Sequence, residues 1–237
     1  ETPVVVVDVQ RAGPATGQAT RPAQGDVMQV RWGSHGDYQT IALAPWSVQE
    51  MYALTIRAFS LAERFRHPVF VLADEAVGHL RENFCVAEEV RVYNRRKPRG
   101  QEPPFGEAEV PPMPAFGEGH QLLITGSTHN EWGYRRTDDP EAQTQLIERL
   151  SSKITNHLDE IWEVEEHFCH GELDVLVIAY GFTARSALQA VKMARQEGQR
   201  AGLLRLKTLW PFPEPFVQEL ARRSRDVLVP EMNRGQI

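Results

Sequence analysis

The sequence predicts an α/β fold in which most strands are parallel. Two apolar runs, Pro3–Val7 and Pro68–Asp74, are typical of strands buried on both faces. The segment between them carries apolar residues at helical spacing. A second series of strand and helix patterns begins at Glu172. Alternation of strands with single helices indicates parallel sheets with helices on their faces.

The first strand leads directly into a candidate binding loop. Asp8 is predicted to close the strand, and the glycines and proline that follow predict an irregular turn. Open α/β sheets bind ligands at the carboxyl ends of their strands. Arg11, Thr16 and Thr20 follow at this point, and a guanidinium matches a pair of carboxylate or phosphate oxygens. The alternative is a solvated, glycine-rich surface turn.

The next elements follow from their start and stop signals. A short helix is predicted over 24–32 and a strand over 38–44. Ser47 and Glu50 have the spacing of a capping box, so a helix is predicted to begin there. Its apolar face continues to about Phe65, and the strand that begins at Pro68 follows.

Residues 84–171 are predicted to connect the two α/β units. Prolines and glycines are frequent over 94–119, which favours a connector over a core segment. This segment includes a basic cluster, for which a solvated face and a docking site for an acidic partner or a phosphate are the two interpretations. The basic cluster consists of Arg91, Arg95, Arg96, Lys97 and Arg99.

The remainder of the connector is predicted to contain a strand and a long helix. Residues 121–126 resemble a short strand, and Pro140 suits the first turn of a helix that continues to about Phe168. His167, Cys169 and His170 near its end allow a metal site, although their spacing alone is a weak signal. A histidine near a helix carboxyl end also suits the helix dipole without a ligand.

The second α/β unit is predicted to begin with a strand over 174–180. A helix capped by Thr183 follows, then a strand over 201–206, a helix that carries Phe216, and a last strand over 226–231. The turn before the first of these helices has two interpretations, a simple helix cap or a phosphate site at a helix amino end. The helix cap is the commoner arrangement and is favoured.

Composition excludes several classes of protein. The net charge of −6 argues against a general nucleic-acid binder. Cys85 and Cys169 are too far apart for a CxxC pair, which disfavours a disulfide framework, an iron–sulfur cluster or a zinc site and fits a reducing cytoplasm. No apolar run reaches membrane-spanning length, and no signal peptide is recognisable. Both ends are expected to be cut from a longer polypeptide, since each lies beside a strand that needs neighbours.

Several segments, in the right order along the whole chain, resemble the α subunit of 2-oxoacid:ferredoxin oxidoreductases, most closely the 2-oxoglutarate type. The segments that carry the resemblance are Val6–Arg11 with Gly13-Pro14 and Thr16-Gly17, Gln24–Asp26, Thr125-Gly126 with His129–Glu131 and Gly133, and Pro230–Asn233 with Gly235-Gln236.

The resemblance implies a thiamine-diphosphate-binding-like fold with a mostly parallel sheet. Residues 1–83 are then the later part of a pyrimidine-binding domain, 84–171 a connector, and 172–237 the beginning of a transketolase C-terminal-like α/β domain. In this family a 2-oxoacid is oxidatively decarboxylated on thiamine diphosphate, the acyl group passes to coenzyme A, and electrons leave through iron–sulfur clusters to ferredoxin. The cofactor carries the difficult chemistry and the protein supplies orientation and charge.

The resemblance also implies roles for the candidate residues. Arg11 binds the carboxylate of the substrate, and Thr16 and Thr20 line the same pocket with their hydroxyls. The family often has Gly-Gly-Pro-Ser-Thr-Gly where this chain has alanine at Ala12 and Ala15. The Ala15 substitution removes a hydroxyl from the pocket.

The resemblance implies that other parts of the site lie outside this chain. No residue here corresponds to the carboxylate that activates the thiamine, so no catalytic residue is assigned. The segment for diphosphate and Mg²⁺ and the cluster-binding cysteines are expected largely on a partner, the β subunit, in a dimer of heterodimers. This chain alone is therefore expected to bind no cofactor tightly.

Three alternatives to a 2-oxoglutarate enzyme stay open. The first is a ferredoxin oxidoreductase for branched-chain 2-oxoacids or pyruvate. The second is a non-catalytic scaffold or regulatory module that kept the fold, which the alanines in the loop favour and the intact arginine disfavours. The third, a thiamine-dependent dehydrogenase or transketolase, fits the order of segments less well.

Overall fold

The computed structural model describes residues 1–237 and has two mixed sheets with helices packed against them. The α/β class is confirmed. The strands are β1 (Val4–Ala12), β2 (Gln18–Pro22), β3 (Ile41–Leu43), β4 (Pro68–Asp74), β5 (Val164–His167), β6 (Leu173–Tyr180), β7 (Ala201–Leu206), β8 (Thr208–Trp210) and β9 (Ser224–Leu228). The helices are α1 (Val27–Trp32), α2 (Val48–Phe65), α3 (Glu75–His79), α4 (Pro140–Thr155), α5 (Leu158–Ile161), α6 (Gly181–Gln196) and α7 (Glu214–Arg222).

The first sheet has the strand order β2-β1-β4-β3-β8. Its three central strands are parallel, as the sequence predicts, and both edge strands are antiparallel to their neighbours. The edge strand β8 was not predicted. It follows β7 of the second sheet after one residue, so the chain crosses from one sheet to the other at Lys207.

The second sheet has the strand order β5-β7-β6-β9. Strands β6, β7 and β9 are parallel, and β5 is an antiparallel edge strand. The predicted strands over 174–180 and 201–206 are confirmed to within one residue at each end. The last strand ends at Leu228, earlier than predicted, and Val229–Ile237 form an irregular segment.

The prediction that β1 is buried on both faces is wrong for this chain. Val4, Val6, Val7 and Val9 are each between 39% and 49% exposed. Only Val5 packs against a hydrophobic cluster, so neither face of the strand is fully covered. The prediction that Asp8 ends the strand is also wrong, because pairing with β2 extends β1 to Ala12.

Helix α2 and strand β4 form as the local signals predict. Ser47 Oγ accepts from the Glu50 amide at 3.2 Å, which is one half of the predicted capping box. The Glu50 carboxylate accepts from the Trp46 amide at 3.1 Å, one residue earlier than in the standard motif. The apolar face of α2 packs on Val69 and Val71 of β4 in one cluster.

The predicted long helix of the connector is wrong in its extent. Helix α4 begins at Pro140, as predicted, and Asp139 is its cap, but the helix ends at Thr155. The apolar positions beyond it belong to α5 and to strand β5, which pairs with β7 from Val164 onwards. Pairing with an existing sheet explains why this stretch is extended although its spacing suits a helix.

The strand predicted over 121–126 does not form, since no strand lies alongside to pair with it. No helix or strand lies between α3 and α4, in agreement with a connector rich in proline and glycine. Arg66 fixes this connector to the end of α2: its Nη1 donates to the carbonyls of Pro111 at 3.2 Å and Pro112 at 3.4 Å. No helix of the structure has both the length and the apolarity to cross a membrane.

Candidate functional site

Arg11 lies at the carboxyl end of β1, the edge of the sheet at which the sequence predicts a site. Arg11 belongs to strand β1 rather than to the predicted turn, and it is exposed. Its guanidinium forms no hydrogen bond or ion pair within the chain. The only hydrogen bond between Arg11 and a side chain is donated by the Arg11 backbone amide to Asp26. The guanidinium is therefore free to bind a ligand.

The turn after Arg11 is the loop of a β1–β2 hairpin. A Cβ at Gly17 would lie 1.6 Å from the Ala12 carbonyl oxygen, and Gly17 has a φ of +51°. Only glycine fits this close approach of the two strands. Ala15 also has a positive φ, 54°, which costs about 1 kcal/mol for a residue with a Cβ. The hairpin therefore has a tight, conformationally defined tip.

The hairpin also carries the two threonines of the candidate site. Thr16 lies in the turn and Thr20 in β2, and both are exposed. Within the chain, neither hydroxyl has a hydrogen-bond partner: the side-chain bonds of the hairpin region involve Gln10 and Asp26 instead. All three predicted residues thus lie on one hairpin with unused donors.

Below the hairpin, Gln24–Asp26 forms a short segment that we call the strap. The Arg11 amide donates to Asp26 Oδ2 at 3.3 Å. The strap is the Gln-Gly-Asp motif of the sequence, but its contact with Arg11 was not predicted. The Gln-Gly-Asp motif is visible in the sequence, but the sequence alone does not show that this motif contacts β1.

The start of α6 is filled by a carboxylate from the first sheet. Asp74 Oδ2 accepts from the Phe182 amide at 2.7 Å, and Asp74 Oδ1 accepts from the Val77 amide at 3.2 Å. A Cβ at Gly181 would lie 2.6 Å from Asp74 Oδ2, so this position too requires glycine. The phosphate interpretation of this turn is therefore wrong, because a protein carboxylate occupies the place of the anion.

Burial raises the pKa of Asp74, although the two amides and Gln24 oppose that change. The predicted cap of α6 is also corrected. Tyr180 is the N-cap residue, and Thr183 lies inside the helix, where its hydroxyl donates to the Tyr180 carbonyl at 2.6 Å. Asp74 links β4 of the first sheet to the start of α6, and Thr183 Oγ1 also donates to Gln24 Oε1 at 3.4 Å.

The carboxyl-terminal motif lies at the same junction. Tyr180 Oη donates to Glu231 Oε1 at 2.9 Å, and Asn233 Nδ2 donates to Tyr180 Oη at 3.1 Å. Burial and the adjacent Glu231 carboxylate raise the pKa of Tyr180, so its hydroxyl stays protonated and acts as a donor. This motif therefore has a structural role at the junction of the sheets.

The histidines and the cysteine near residue 168 do not form a metal centre. No group of three or more His, Cys, Asp or Glu side chains is placed to hold an ion. His167 lies in β5, and Cys169 is buried with its Sγ 3.4 Å from the Leu203 carbonyl oxygen. Burial raises the pKa of the Cys169 thiol, which suits a neutral core residue.

The middle of the basic cluster is paired within the chain. Arg95 contacts Glu63 at 3.1 Å, Arg96 contacts Glu102 at 2.8 Å and Lys97 contacts Glu118 at 2.8 Å. These ion pairs neutralise three of the five cations. The geometry favours the solvated face over a phosphate site.

Comparison with protein families gives two matches. The model described as "Pyruvate flavodoxin/ferredoxin oxidoreductase, thiamine diP-bdg" matches residues 1–149. The model described as "Pyruvate:ferredoxin oxidoreductase core domain II" matches residues 173–237. Together the two models match most of the chain.

Curated relatives carry related names. The chain is 50% identical over 242 residues to the 2-oxoglutarate synthase subunit KorA of Methanothermobacter marburgensis, which covers all of this chain and 64% of that protein. It is 35% identical over 239 residues to the ketoisovalerate oxidoreductase subunit VorB of Methanothermobacter thermautotrophicus, with 100% and 61% covered. The chain thus spans about two thirds of the length of these relatives or slightly less.

A solved structure shares the fold. The 2-oxoglutarate:ferredoxin oxidoreductase from Magnetococcus marinus, with 2-oxoglutarate, coenzyme A and succinyl-CoA bound, superposes with a TM-score of 0.91 at 30% identity. The match covers 98% of this chain and 42% of that chain. The two-sheet architecture is therefore that of this oxidoreductase, and the predicted thiamine-diphosphate-binding-like fold is confirmed.

Proposed function

This chain belongs to the pyruvate flavodoxin/ferredoxin oxidoreductase family, and on that premise we propose that it is part of an oxidoreductase α subunit that oxidises a 2-oxoacid, with 2-oxoglutarate as substrate. The products are an acyl-coenzyme A and electrons for ferredoxin. Higher identity to the 2-oxoglutarate relative than to the ketoisovalerate relative, 50% against 35%, supports this choice of substrate.

The free guanidinium of Arg11 carries the proposal. A 2-oxoacid has a carboxylate beside its reactive carbonyl, and a fixed guanidinium holds such a carboxylate through two parallel hydrogen bonds. Holding the carboxylate also fixes the neighbouring carbonyl for attack. An exposed arginine at the carboxyl edge of a parallel sheet, with no internal partner, suits this role.

Strand pairing supports grouping Thr20 with Arg11. Arg11 pairs with Pro22 across the hairpin, and Thr20 precedes Pro22 by two residues in the same strand, β2. The register shifts between Arg11 and Ala12, so the grouping rests on the shared hairpin and on the exposure of both residues. Thr16, in the turn, completes the proposed set of donors.

The residues of this chain do not fit the diphosphate end of thiamine diphosphate. The one helix start considered for a phosphate is filled by Asp74, and no acidic cluster is grouped to hold Mg²⁺. We therefore place thiamine diphosphate and Mg²⁺ with a partner β subunit. The family resemblance supports placing an iron–sulfur cluster there too, in a dimer of heterodimers. Thiamine diphosphate, when bound, supplies the carbanion chemistry.

The proposed domain boundaries are those of the sequence analysis. Residues 1–83 form the later part of a pyrimidine-binding domain, 84–171 the connector and 172–237 the beginning of a transketolase C-terminal-like domain. Both cysteines are free thiols, which suits the proposed cytoplasmic location.

The test is to measure the steady-state kinetics of the Arg11→Ala variant of the full-length subunit, purified with its partner chain. With coenzyme A and a viologen acceptor at saturation, the KM for 2-oxoglutarate should rise about 10- to 100-fold, because a charge-assisted hydrogen bond contributes about 1.5–3 kcal/mol. Arg21→Ala is the matched control: Arg21 is also exposed and unpaired, and it lies on the same hairpin without belonging to the proposed site. Its KM should stay within about twofold of the unmodified complex.

A panel of 2-oxoacids separates the alternatives. Higher kcat/KM for a branched-chain 2-oxoacid or for pyruvate would replace 2-oxoglutarate as the substrate. Unchanged kinetics of Arg11→Ala for every member of the panel would remove Arg11 from the site. A full-length protein that purifies without a partner and turns over no 2-oxoacid would favour the scaffold.

A further inference from the structure

We propose that Asp26 is a positioning residue for Arg11, and that the strap (Gln24–Asp26) transmits the position of the second sheet to the β1–β2 hairpin. This inference rests on the proposed function only for its kinetic consequence. The structural part of the proposal is that the strap holds the Arg11 peptide of β1 in place.

The first observation is the unusual use of the Asp26 carboxylate. Asp26 is the N-cap residue of α1, where an aspartate normally accepts from an amide in the first turn of its own helix. Asp26 makes no such bond. Its Oδ2 accepts instead from the amide of Arg11, 15 residues earlier in the chain. The carboxylate therefore stabilises the strand end and not the helix start.

The second observation is that the strap holds Arg11 at further points. A Cβ at Gly25 would lie 2.5 Å from the Arg11 carbonyl oxygen, so the strap backbone lies directly against that peptide. The Asp26 amide donates to Gln10 Oε1 at 3.4 Å, and Gln10 is buried. Contacts at Gln10, at the Arg11 amide and at the Arg11 carbonyl leave this part of β1 little freedom.

The third observation is that the strap is itself anchored by the carboxyl-terminal segment. Backbone and side chain of Gln24 both bond to Met232: the Gln24 amide donates to the Met232 carbonyl, and the Met232 amide donates to Gln24 Oε1, each at 3.1 Å. Asn233 Nδ2 donates to the Gln24 carbonyl at 2.8 Å. Gln236 Nε2 donates to the Gly25 carbonyl at 3.0 Å.

These contacts form one continuous path from the second sheet to Arg11. The guanidinium is on a long, exposed side chain without partners in the chain, so the position of its Cα limits where the donor fork can lie. A shift of about 1 Å in a binding group can cost about 100-fold in rate. Asp26 acts through Arg11 and does not itself touch the substrate.

The first experiment reads the hairpin directly and needs no activity. Hydrogen exchange is measured by mass spectrometry on the full-length subunit in its complex, for peptides that cover residues 11–22. In Asp26→Ala these amides should exchange about fivefold faster, the effect of losing one hydrogen bond. Asp37→Ala, which alters an exposed aspartate without a partner, should leave the exchange unchanged. Unchanged exchange in Asp26→Ala would overturn the positioning role.

The second experiment is a kinetic double-mutant cycle. Asp26→Ala should raise the KM for 2-oxoglutarate about fivefold and leave kcat within about twofold. In an Arg11→Ala background the same substitution should raise KM no further, since the residue it positions is gone. Asp26→Asn, which keeps an acceptor oxygen, should recover most of the loss. An equal effect in both backgrounds would show a general structural role and contradict the proposal.

Gln236→Ala covers the case in which Asp26→Ala fails to assemble. It removes the bond to the Gly25 carbonyl in the middle of the strap and the bond from the Met28 amide to Gln236 Oε1, and it should raise both the exchange of the hairpin and KM by a smaller factor. If the complex turns over no 2-oxoacid, the proposed function fails while the exchange experiment still decides the role of Asp26.

Discussion

Strands β1 and β7 have similar apolar character and opposite surroundings. Every residue of β7 is buried, including the charged Arg205. Its side chains enter two hydrophobic clusters, one on each face of the second sheet. In β1, by contrast, four valines are at least 39% exposed. Apolar residues thus indicate a strand, and the elements that cover the strand decide whether it is buried.

Arg205 is a fully buried charged residue, and an aromatic ring and two carboxylates stabilise its charge. Its guanidinium lies 3.6 Å from the centre of the Trp46 ring, and its Nη1 donates to Glu50 Oε1 at 2.9 Å and to Glu165 Oε2 at 2.7 Å. Glu50 lies in α2, which packs on the first sheet, and Glu165 lies in β5 of the second sheet. The buried cation therefore ties the two halves of the chain together.

Removing this cation should give the largest loss of stability. Arg205→Ala leaves the Glu50 carboxylate in a largely buried place without its main partner, so we expect about 3–5 kcal/mol less free energy of unfolding. Urea unfolding of the 237-residue chain measures it. Arg200→Ala, at an exposed pair with Asp174, is the control and should cost less than about 1 kcal/mol. Equal losses for the two variants would mean that burial does not distinguish the two pairs.

A matched pair of apolar substitutions tests the comparison of the strands directly. Leu203→Ala in β7 should cost about 3 kcal/mol, because it opens a cavity in a fully buried site. Val6→Ala in β1 should cost less than about 1 kcal/mol in the same chain, because Val6 is 39% exposed. The measurement is the shift in urea midpoint at constant slope.

A loss for Val6→Ala as large as that for Leu203→Ala would show that β1 is covered in solution. Repeating the measurement over a range of protein concentrations then identifies the cause. If stability rises with concentration, a second copy of the chain covers the strand.

A pH measurement at the start of β4, the covered neighbour of β1, should show a smaller effect. Burial and nearby Lys153 lower the pKa of His67 to about 3, from an ordinary value of 6.5. Between these two pH values the unfolded chain takes up a proton that the folded chain does not, so the folded state loses stability as pH falls. The loss is about 2 kcal/mol at about pH 5.

His67→Gln should remove this part of the acid sensitivity, as measured by urea unfolding between about pH 7 and 5. His35→Gln, at an exposed histidine, is the control and should leave the pH dependence unchanged. If His67→Gln and the unmodified chain lose stability in parallel, burial of His67 does not contribute.

Capping residues and hydrophobic spacing correctly predicted the helix and the strand in which they lie. The capping Ser47 and the apolar stripe after it gave α2, and the Pro68–Asp74 run gave β4 with the observed bounds. Signals that depend on distant partners failed. The helical spacing after Thr155 lost to pairing of β5 with β7, and the apolar run over 121–126 found no strand to pair with.

The same distinction applies to the candidate site. Arg11, Thr16 and Thr20 were recognisable from residue type and from the family motif, and their role stays a prediction. The contacts of Asp26, Asp74 and Gln24 were not predicted, because each acts on a residue of another segment of the chain. Asp74, for example, accepts from Phe182, 108 residues later.

Residue patterns were enough to predict the α/β class and the positions of most helices and strands, since turn chemistry and hydrophobic period act over a few residues. The family came from the resemblance of the motifs to known sequences. The tertiary structure alone decided which apolar strand is buried, which carboxylate fills the start of α6, and how the hairpin that carries Arg11 is held. Those outcomes depend on contacts between separate segments, from Arg11 with Asp26, 15 residues apart, to Gln24 with Met232, 208 residues apart. No local pattern encodes such distances, because they are set only when the two sheets pack.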